Sequence, residues 1–315
     1  MKKLRHLPLV IFIFLALIAF VKTSLLSPKA QEQIPAYKVE EIARGVYAIL
    51  FEQMRTNSGF IVGKEGVTVI DALINADLAH KVIEEVKKVT DKPIRYLVNT
   101  HFHADHTFGN NAYPRETTII SHRNTRIILE KDMDQMRKDV ARIFKSQIPE
   151  SFSVVLPNLT FTESLAIHDG TRKIDILYMG KGHTAGDAVI YLPEEKIIFA
   201  GDLIVHGVPV FALGGFSKEY IDTLKKIEAL DSQKIVTGHG GLVDKGDIPR
   251  LIQYTEDLRA EVKKYMDAGK SLDETVSALT LPQYESWPRH KTVLPFNVER
   301  VYKEMKGEAK EYAAQ

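Results

Sequence analysis

Three histidines and an aspartate crowd into six residues, His101-Phe102-His103-Ala104-Asp105-His106, directly after the apolar run 94–98. On an extended chain alternate side chains share a face. His101, His103 and Asp105 are therefore expected on one side and His106 on another. Such a segment offers two imidazoles to one metal ion and a carboxylate plus an imidazole to a second. A solvated polar loop is the plain alternative, but the apolar strand in front argues for a buried strand end.

Three later segments repeat the pattern. Gly180-Lys181-Gly182-His183-Thr184-Ala185-Gly186-Asp187 places a histidine in a glycine-rich turn after a strand. Phe199-Ala200-Gly201-Asp202 ends an apolar run with a carboxylate, and Thr237-Gly238-His239-Gly240-Gly241 ends another with a histidine. Glycine beside each donor lets the backbone come close to a shared point at little steric cost. Cysteine is absent, which excludes thiolate ligands, disulfides and a cysteine nucleophile. Imidazole and carboxylate donors suit Zn²⁺ and also accept Fe or Mn.

Taken in order, these segments resemble the metallo-β-lactamase superfamily over roughly residues 46–242. The motif His-x-His-x-Asp-His stands unbroken, and the Gly-His-Thr-x-Gly-Asp, Gly-Asp and Gly-His elements follow. The resemblance implies an α/β fold, an αββα sandwich with a metal site at one edge of its two sheets. It further implies two Zn²⁺ per chain. His101, His103 and His183 would hold the first, Asp105, His106 and His239 the second, and Asp202 would bridge both. Asp71, in Val69-Ile70-Asp71-Ala72, matches the family's early strand-end aspartate and would support the His-rich loop from behind. Thr184 and Asp187 fall in the same supporting class.

The chemistry implied is hydrolysis. Two metals lower the pKa of a shared water towards about 7 and polarise the electrophile, so no side-chain nucleophile is needed. Asp105 is the catalytic candidate: it would orient the nucleophile and help protonate the leaving group. The leading reading is an exported dinuclear hydrolase of a small ester, lactone, thioester or amide. A β-lactamase is the first alternative, but the β-lactamases compared lack an aspartate where this chain has Asp202, which is instead like glyoxalase II and the lactonases. Residues 249–315 show no motif for the glutathione thioester of glyoxalase II. A mononuclear iron sulfur-dioxygenase and a non-catalytic metal-binding protein complete the alternatives. Activated esters or lactones are expected to react faster than β-lactams, because Asp202 partly neutralises the metal pair and weakens its pull on an anion.

The elements around these residues alternate. Short β-rich runs at 37–42, 46–51, 59–62 and 67–70 precede a helix over 77–89, with Asp77–Lys81 and Glu84–Lys88 as i,i+4 pairs. One long helix is expected from Asn124, its stripe being Leu129, Met133, Met136, Val140 and Ile143. Segment 146–159 reads as a loop over a pocket or a crossing between halves. Strands return at 159–162, 174–178, 188–192, 196–200 and 234–237, with a helix at 218–230 between the last two. The end of the chain is helical, with a capping box at Ser271 and Glu274 and Asn297 as a cap of the last helix. Among the other histidines, His206 is the candidate for the substrate pocket, beside an apolar wall at 208–216. His122 has a structural role, and His80 and His168 are solvated.

Five of the 42 basic residues fall in positions 1–30, where no acid occurs, leaving 37 basic against 41 acidic residues, a net charge of −4. That acidic body is a poor nucleic-acid binder, so the expected partner is a small-molecule substrate. Lys2-Lys3-Leu4-Arg5-His6 precedes fifteen residues, 7–21, without a polar side chain. A basic patch before a short apolar run is the secretory pattern. The chain is expected in the periplasm or otherwise outside the cytoplasm, with the segment cleaved or kept as an anchor and the membrane contacted only through it. Three parts are expected: 1–30 for export, 36–248 as the hydrolase domain, and 249–315 as a helical extension. Nothing in the sequence sets the oligomeric state.

Overall fold

Alternation along single strands already separates the layers. In β4 (Val67–Ile70) Val67 and Val69 join one apolar cluster and Ile70 another. In β11 (Ile197–Phe199) Ile197 and Phe199 face the inner layer and Ile198 the outer one. The computed structural model describes residues 35–312 apart from Met54, 145–147, 149–151, Thr171 and Leu213. The segment expected to direct export lies outside the described residues.

The first sheet runs β1 (Tyr37–Ala43), β2 (Val46–Phe51), β3 (Ser58–Val62), β4, β5 (Ile94–Val98), β6 (Thr118–His122) and β7 (Leu159–Phe161) in spatial order. It is antiparallel up to β4 and parallel from β4 to β7. The second contains β8 (Ser164–His168), β9 (Lys173–Leu177), β10 (Val189–Leu192), β11, β12 (Lys234–Val236) and β13 (Leu242–Val243). Its one parallel pair is β11 with β12. Ile61, Ile70, Val98 and Ile120 of the first sheet meet Ile174, Ile176, Ile190 and Phe199 of the second in a buried layer.

Helices cover both outer faces. On the first sheet α1 (Ala76–Val89) lays Leu78, Val82 and Val86 against Val67, Val69 and Leu97. Fully burying such side chains is worth about 1.5–3 kcal/mol each. On the second sheet lie α5 (Ser217–Glu228), α6 (Ile248–Asp267) and α8 (His290–Lys306), while α7 (Leu272–Ala278) joins the last two. The layers are α, β, β, α, as expected. Tyr254, Leu258 and Val298, from beyond residue 248, share a core with Ile198 and Ile235.

Several local expectations change. The single helix from Asn124 is two, α3 (Arg123–Lys131) and α4 (Met133–Phe144), separated at Asp132 with φ −114° and ψ 18°. Aspartate competes with helical backbone bonds through its own side chain. On α1 the ion pairs are Lys81–Glu84 and Lys88–Glu85, both i,i+3. Glu85, not Glu84, takes Lys88, because the Tyr37 hydroxyl already holds Glu85 in place at 2.8 Å. The described residues of 146–159 line no wall of the cleft described below; Phe152, Val154 and Leu156 pack on Phe108, Leu129 and Met136. The strands β8 and β13 add to the expected set.

The Ser271–Glu274 capping box is present, but Asn297 caps nothing. It is buried inside α8, accepts from Phe211 N at 2.9 Å and donates to Pro209 O at 2.8 Å. Replacing it leaves a buried N–H and a buried C=O without partners. Asn297→Ala is therefore expected to lower stability by about 2 kcal/mol or more in urea unfolding. A loss under about 0.5 kcal/mol, within the range of neutral surface changes, would show that the loop does not depend on it.

Candidate metal centre

Parallel strands deliver side chains at their carboxyl ends, and the two sheets do so at one edge. Asp71 follows β4, His101 follows β5, Asp202 follows β11 and His239 follows β12. His183 comes from the turn between β9 and β10. Two groups of donors result: His101, His103, His183 and Asp202, and Asp105, His106 and His239, the atoms of each within 4.8 Å of one another. All seven candidate ligands are thus brought together, with Asp202 grouped with His101, His103 and His183.

The route to this grouping differs from the extended strand expected. The chain turns into the short α2 (Ala104–Thr107) at His103, so Asp105 and His106 project from one helical turn. Backbone closeness is forced elsewhere. Gly201 has φ +51°, and a side chain there would meet Thr100. At Gly238 a Cβ would collide with the Asp202 carboxylate.

Supporting bonds fix which nitrogen of His101, His106 and His183 faces inward. Asp71, itself at φ 59°, accepts from Thr100 N at 2.7 Å and from Thr100 Oγ1 at 2.8 Å. Its Oδ2 also lies 2.8 Å from His106 Nδ1. Since the Thr100 hydroxyl gives its proton to Asp71, it can only accept from His101 Nδ1, 3.1 Å away. His183 Nδ1 donates to Val210 O at 2.8 Å. His101 and His183, neutral and held this way, present bare Nε2 atoms to the centre. Thr184 and Asp187 brace the His183 turn: Asp187 accepts from Thr184 N at 2.8 Å and from Thr184 Oγ1 at 2.6 Å. Burial pushes Asp187 up to about 7.

These donors fit metal ions better than they fit one another. His103 Nδ1 lies 3.0 Å from His101 Nε2 and 2.9 Å from His183 Nε2, so three ring nitrogens crowd one point. His106 Nε2 and Asp202 Oδ1 are buried without a hydrogen-bond partner, 3.4 Å apart. Asp202 Oδ2 lies 3.5 Å from His183 Nε2 and 3.2 Å from His239 Nε2, so this one carboxylate faces both groups.

Charge divides the groups. Burial, then the neighbouring imidazoles, holds His101 well below its usual range; burial also brings His183 to about 3 despite Asp202. Burial opposes charge on His239 too, but Asp202 and Asp105 raise it to about 9. His106 rises likewise against burial, through Asp71, Asp105 and Asp202. Both carboxylates stay ionised: burial is outweighed by His106 and His239 at Asp105, and by His239, His106 and His183 at Asp202.

Two residues that the sequence did not single out complete the site. Thr56 Oγ1 donates to Asp105 Oδ2 at 2.5 Å, and Thr56 forms an isolated bridge with His239. Asn57 donates to Thr237 O and Gly240 O while accepting from Phe51 N, which ties the first sheet to the His239 loop. Their only signal was a polar Thr-Asn-Ser step before a strand.

A cleft of about 530 Å³ opens over the donors. Its walls are mostly apolar: Phe51, Leu73 and Leu78 on one side, Met136, Val140, Val293 and Phe296 on others. From the expected wall, Val210 and Ala212 line it, whereas Val208 and Phe211 turn into the core. Arg55, Arg289 and Tyr312 also border it. His206 does not. It is exposed and lines a separate small pocket with Trp287 and Pro288. Only its backbone serves the site, donating to His239 O at 3.0 Å. His122 is structural: Nδ1 accepts from Asn124 N and the ring stacks on Tyr178.

Comparisons with known proteins agree with this geometry. A linear primary-alkylsulfatase from Pseudomonas sp. (strain ATCC 19151) is 25% identical over 264 residues, 71% of this chain and 50% of that protein. A metallo-beta-lactamase type 2 from Bacillus sp. (strain 170) is 26% identical over 215 residues, 66% of this chain and 74% of its own length. The chain thus spans half the length of the alkylsulfatase. Among solved structures, the sec-alkylsulfatase Pisa1 from Pseudomonas sp. superposes with TM-score 0.68 at 16% identity, covering 85% of this chain and 50% of that one. A metallo-beta-lactamase from Pontibacter korlensis gives 0.58 at 19%, covering 70% and 99%. Residues 52–239 match the metallo-beta-lactamase superfamily, and with its candidate metal donors gathered at the edge of the sandwich the chain belongs to that superfamily.

Proposed function

We propose that the chain is an exported dinuclear metal-dependent hydrolase of an ester, lactone, thioester or amide that carries a hydrocarbon part. The observation that carries this reading is Asp202, one carboxylate facing both donor groups at the floor of an apolar cleft. His101, His103 and His183 would hold one ion and Asp105, His106 and His239 the other. Zinc suits these donors best, with iron or manganese as substitutes. When bound, such a pair supplies a hydroxide nucleophile near neutral pH and polarises the electrophile. The chain's own part is positioning. Asp105, held by Thr56 and 36% exposed, orients the attacking water and passes its proton to the leaving group. The apolar walls exclude bulk water and seat the acyl or alkyl chain.

A sulfate ester is the second reading, supported by the alkylsulfatase relative and by walls suited to an alkyl chain. The β-lactamase relatives support a β-lactam, against which Asp202 stands as before.

Under metal saturation, elemental analysis is expected to give two ions per chain, and a persistent single ion would favour the mononuclear iron dioxygenase. Asp202→Ala is expected to lose the second ion and at least about a hundredfold in kcat, about 2.7 kcal/mol, with the circular dichroism of the fold retained. Loss of that signal would make Asp202 a structural carboxylate instead.

An aryl ester, an acyl lactone, a primary alkyl sulfate and a chromogenic β-lactam compared on one preparation would rank the substrates by kcat/KM. The β-lactam is expected to trail. If it leads by more than about tenfold, about 1.4 kcal/mol in the barrier, the argument from Asp202 fails.

Export rests on the basic start and the apolar run of the sequence. Fractionation of the native host should find the protein outside the cytoplasm. Full-length chain in the soluble cytoplasm would refute export, and full-length chain in the membrane would identify an anchor.

A further inference from the structure

Arg289 is placed where an unaided arginine does not belong. It borders the cleft above the donor groups, yet its Nε and Nη2 are buried and make no hydrogen bond. Burying guanidinium donors without partners costs several kcal/mol, which a fold tolerates only where something repays it. The backbone is strained as well, with φ 64° and ψ 4°, a left-handed conformation unfavourable for a residue with a long side chain. Surrounding bonds hold it there. The Arg289 carbonyl accepts from Val293 N at 2.9 Å, from Thr292 N at 3.1 Å and from the Thr292 hydroxyl at 3.0 Å, at the start of α8. Strain maintained this way clusters at ligand sites.

The rest of the cleft says what the ligand carries. Among the described residues that line it only Asp105 and Asp202 are acidic, both in the donor set, and no ion pair joins either of them to Arg289. Arg55, the other arginine bordering the cleft, is exposed. Leu73, Met136, Val293 and Phe296 surround the space with hydrocarbon.

We propose that Arg289 is the anchor for an anionic oxygen group on an amphiphilic substrate, a carboxylate, sulfonate or sulfate joined to an alkyl or aryl chain that fills the cleft. The planar guanidinium offers two parallel N–H donors to such a group. This deepens the hydrolase reading and rests on it for the identity of the site. It also settles a tension within that reading: Asp202 weakens the pull of the metal pair on an anion, and Arg289 supplies that pull at a separate point. Arg289 is a binding residue here and takes no proton.

The test uses the full-length, metal-loaded protein with two probes that cannot be hydrolysed, decanesulfonate and decanol, titrated by calorimetry. Arg289→Gln is expected to weaken decanesulfonate binding at least about tenfold, about 1.4 kcal/mol, and to leave decanol binding and metal content unchanged. Arg289→Lys, which keeps the charge without the planar fork, should fall between and decides the matter if the glutamine variant does not fold. In kinetics, KM for a carboxylate-bearing aryl ester should rise while kcat and the neutral ester are untouched. Equal loss for both probes, no loss for either, or a loss that instead follows Arg55→Gln would overturn the anchor. So would a fall in kcat for neutral and anionic esters alike, which would place Arg289 at the reacting oxygen. If no ester is hydrolysed yet decanesulfonate still depends on Arg289, the anchor stands and the hydrolase reading falls.

Discussion

One buried carboxylate, that of Asp71, organises the edge of the molecule. It takes a backbone N–H and a hydroxyl from Thr100 and sits against the His106 ring. An ionised carboxylate without partners would cost several kcal/mol at this depth. The three partners must therefore remain where they are, and they can do so only if β4 and β5 keep their parallel register. Through Thr100 the same carboxylate sets the orientation of His101. A single group thus couples strand pairing, loop shape and the proton positions of two rings.

The second sheet is tied to that arrangement by backbone bonds. Ala188 N donates to Thr100 O, and Asn57 N to Gly238 O, each joining a donor loop of one sheet to the other. Val210, whose carbonyl holds His183, lies between the two residues clamped by Asn297. Through Asn297, α8 thereby stiffens the loop that holds His183, and it also supplies one wall of the cleft. Floor and wall come from different parts of the chain.

Much of the centre was legible because its donors are dense and their neighbours are glycine. Four short segments sufficed to name seven side chains that the fold then gathers. What was not legible depends on contacts between distant segments. Thr56 reaches Asp105 within the first sheet and Asn57 reaches Gly240 on the second, 49 and 183 residues away along the chain, and no local spacing announces either. The turn at His103 was misjudged because residues 101–106 carry no apolar period to mark a helix, and α2 is a single turn. His206 was drawn towards the pocket by its closeness in sequence to Asp202, yet its side chain belongs to a different hollow. β8 was missed because Ser164, Ala166 and His168 are exposed on a sheet edge, so only Leu165 and Ile167 mark it as a strand.

The scattering of the donors along the chain also determines when they come into being. His101 and His239 approach only after both sheets have formed and packed, so the cluster has no counterpart in any short segment of the unfolded chain. Metal ions held by these donors would then bind the native state almost alone, and their affinity would add to its stability by mass action. The apolar layers between and outside the sheets contain none of the seven donors, and they hold the fold on their own account. Folding would then precede loading, and a chelator would take the ions from a cavity already built, in contrast to small metal-dependent domains that unfold when stripped.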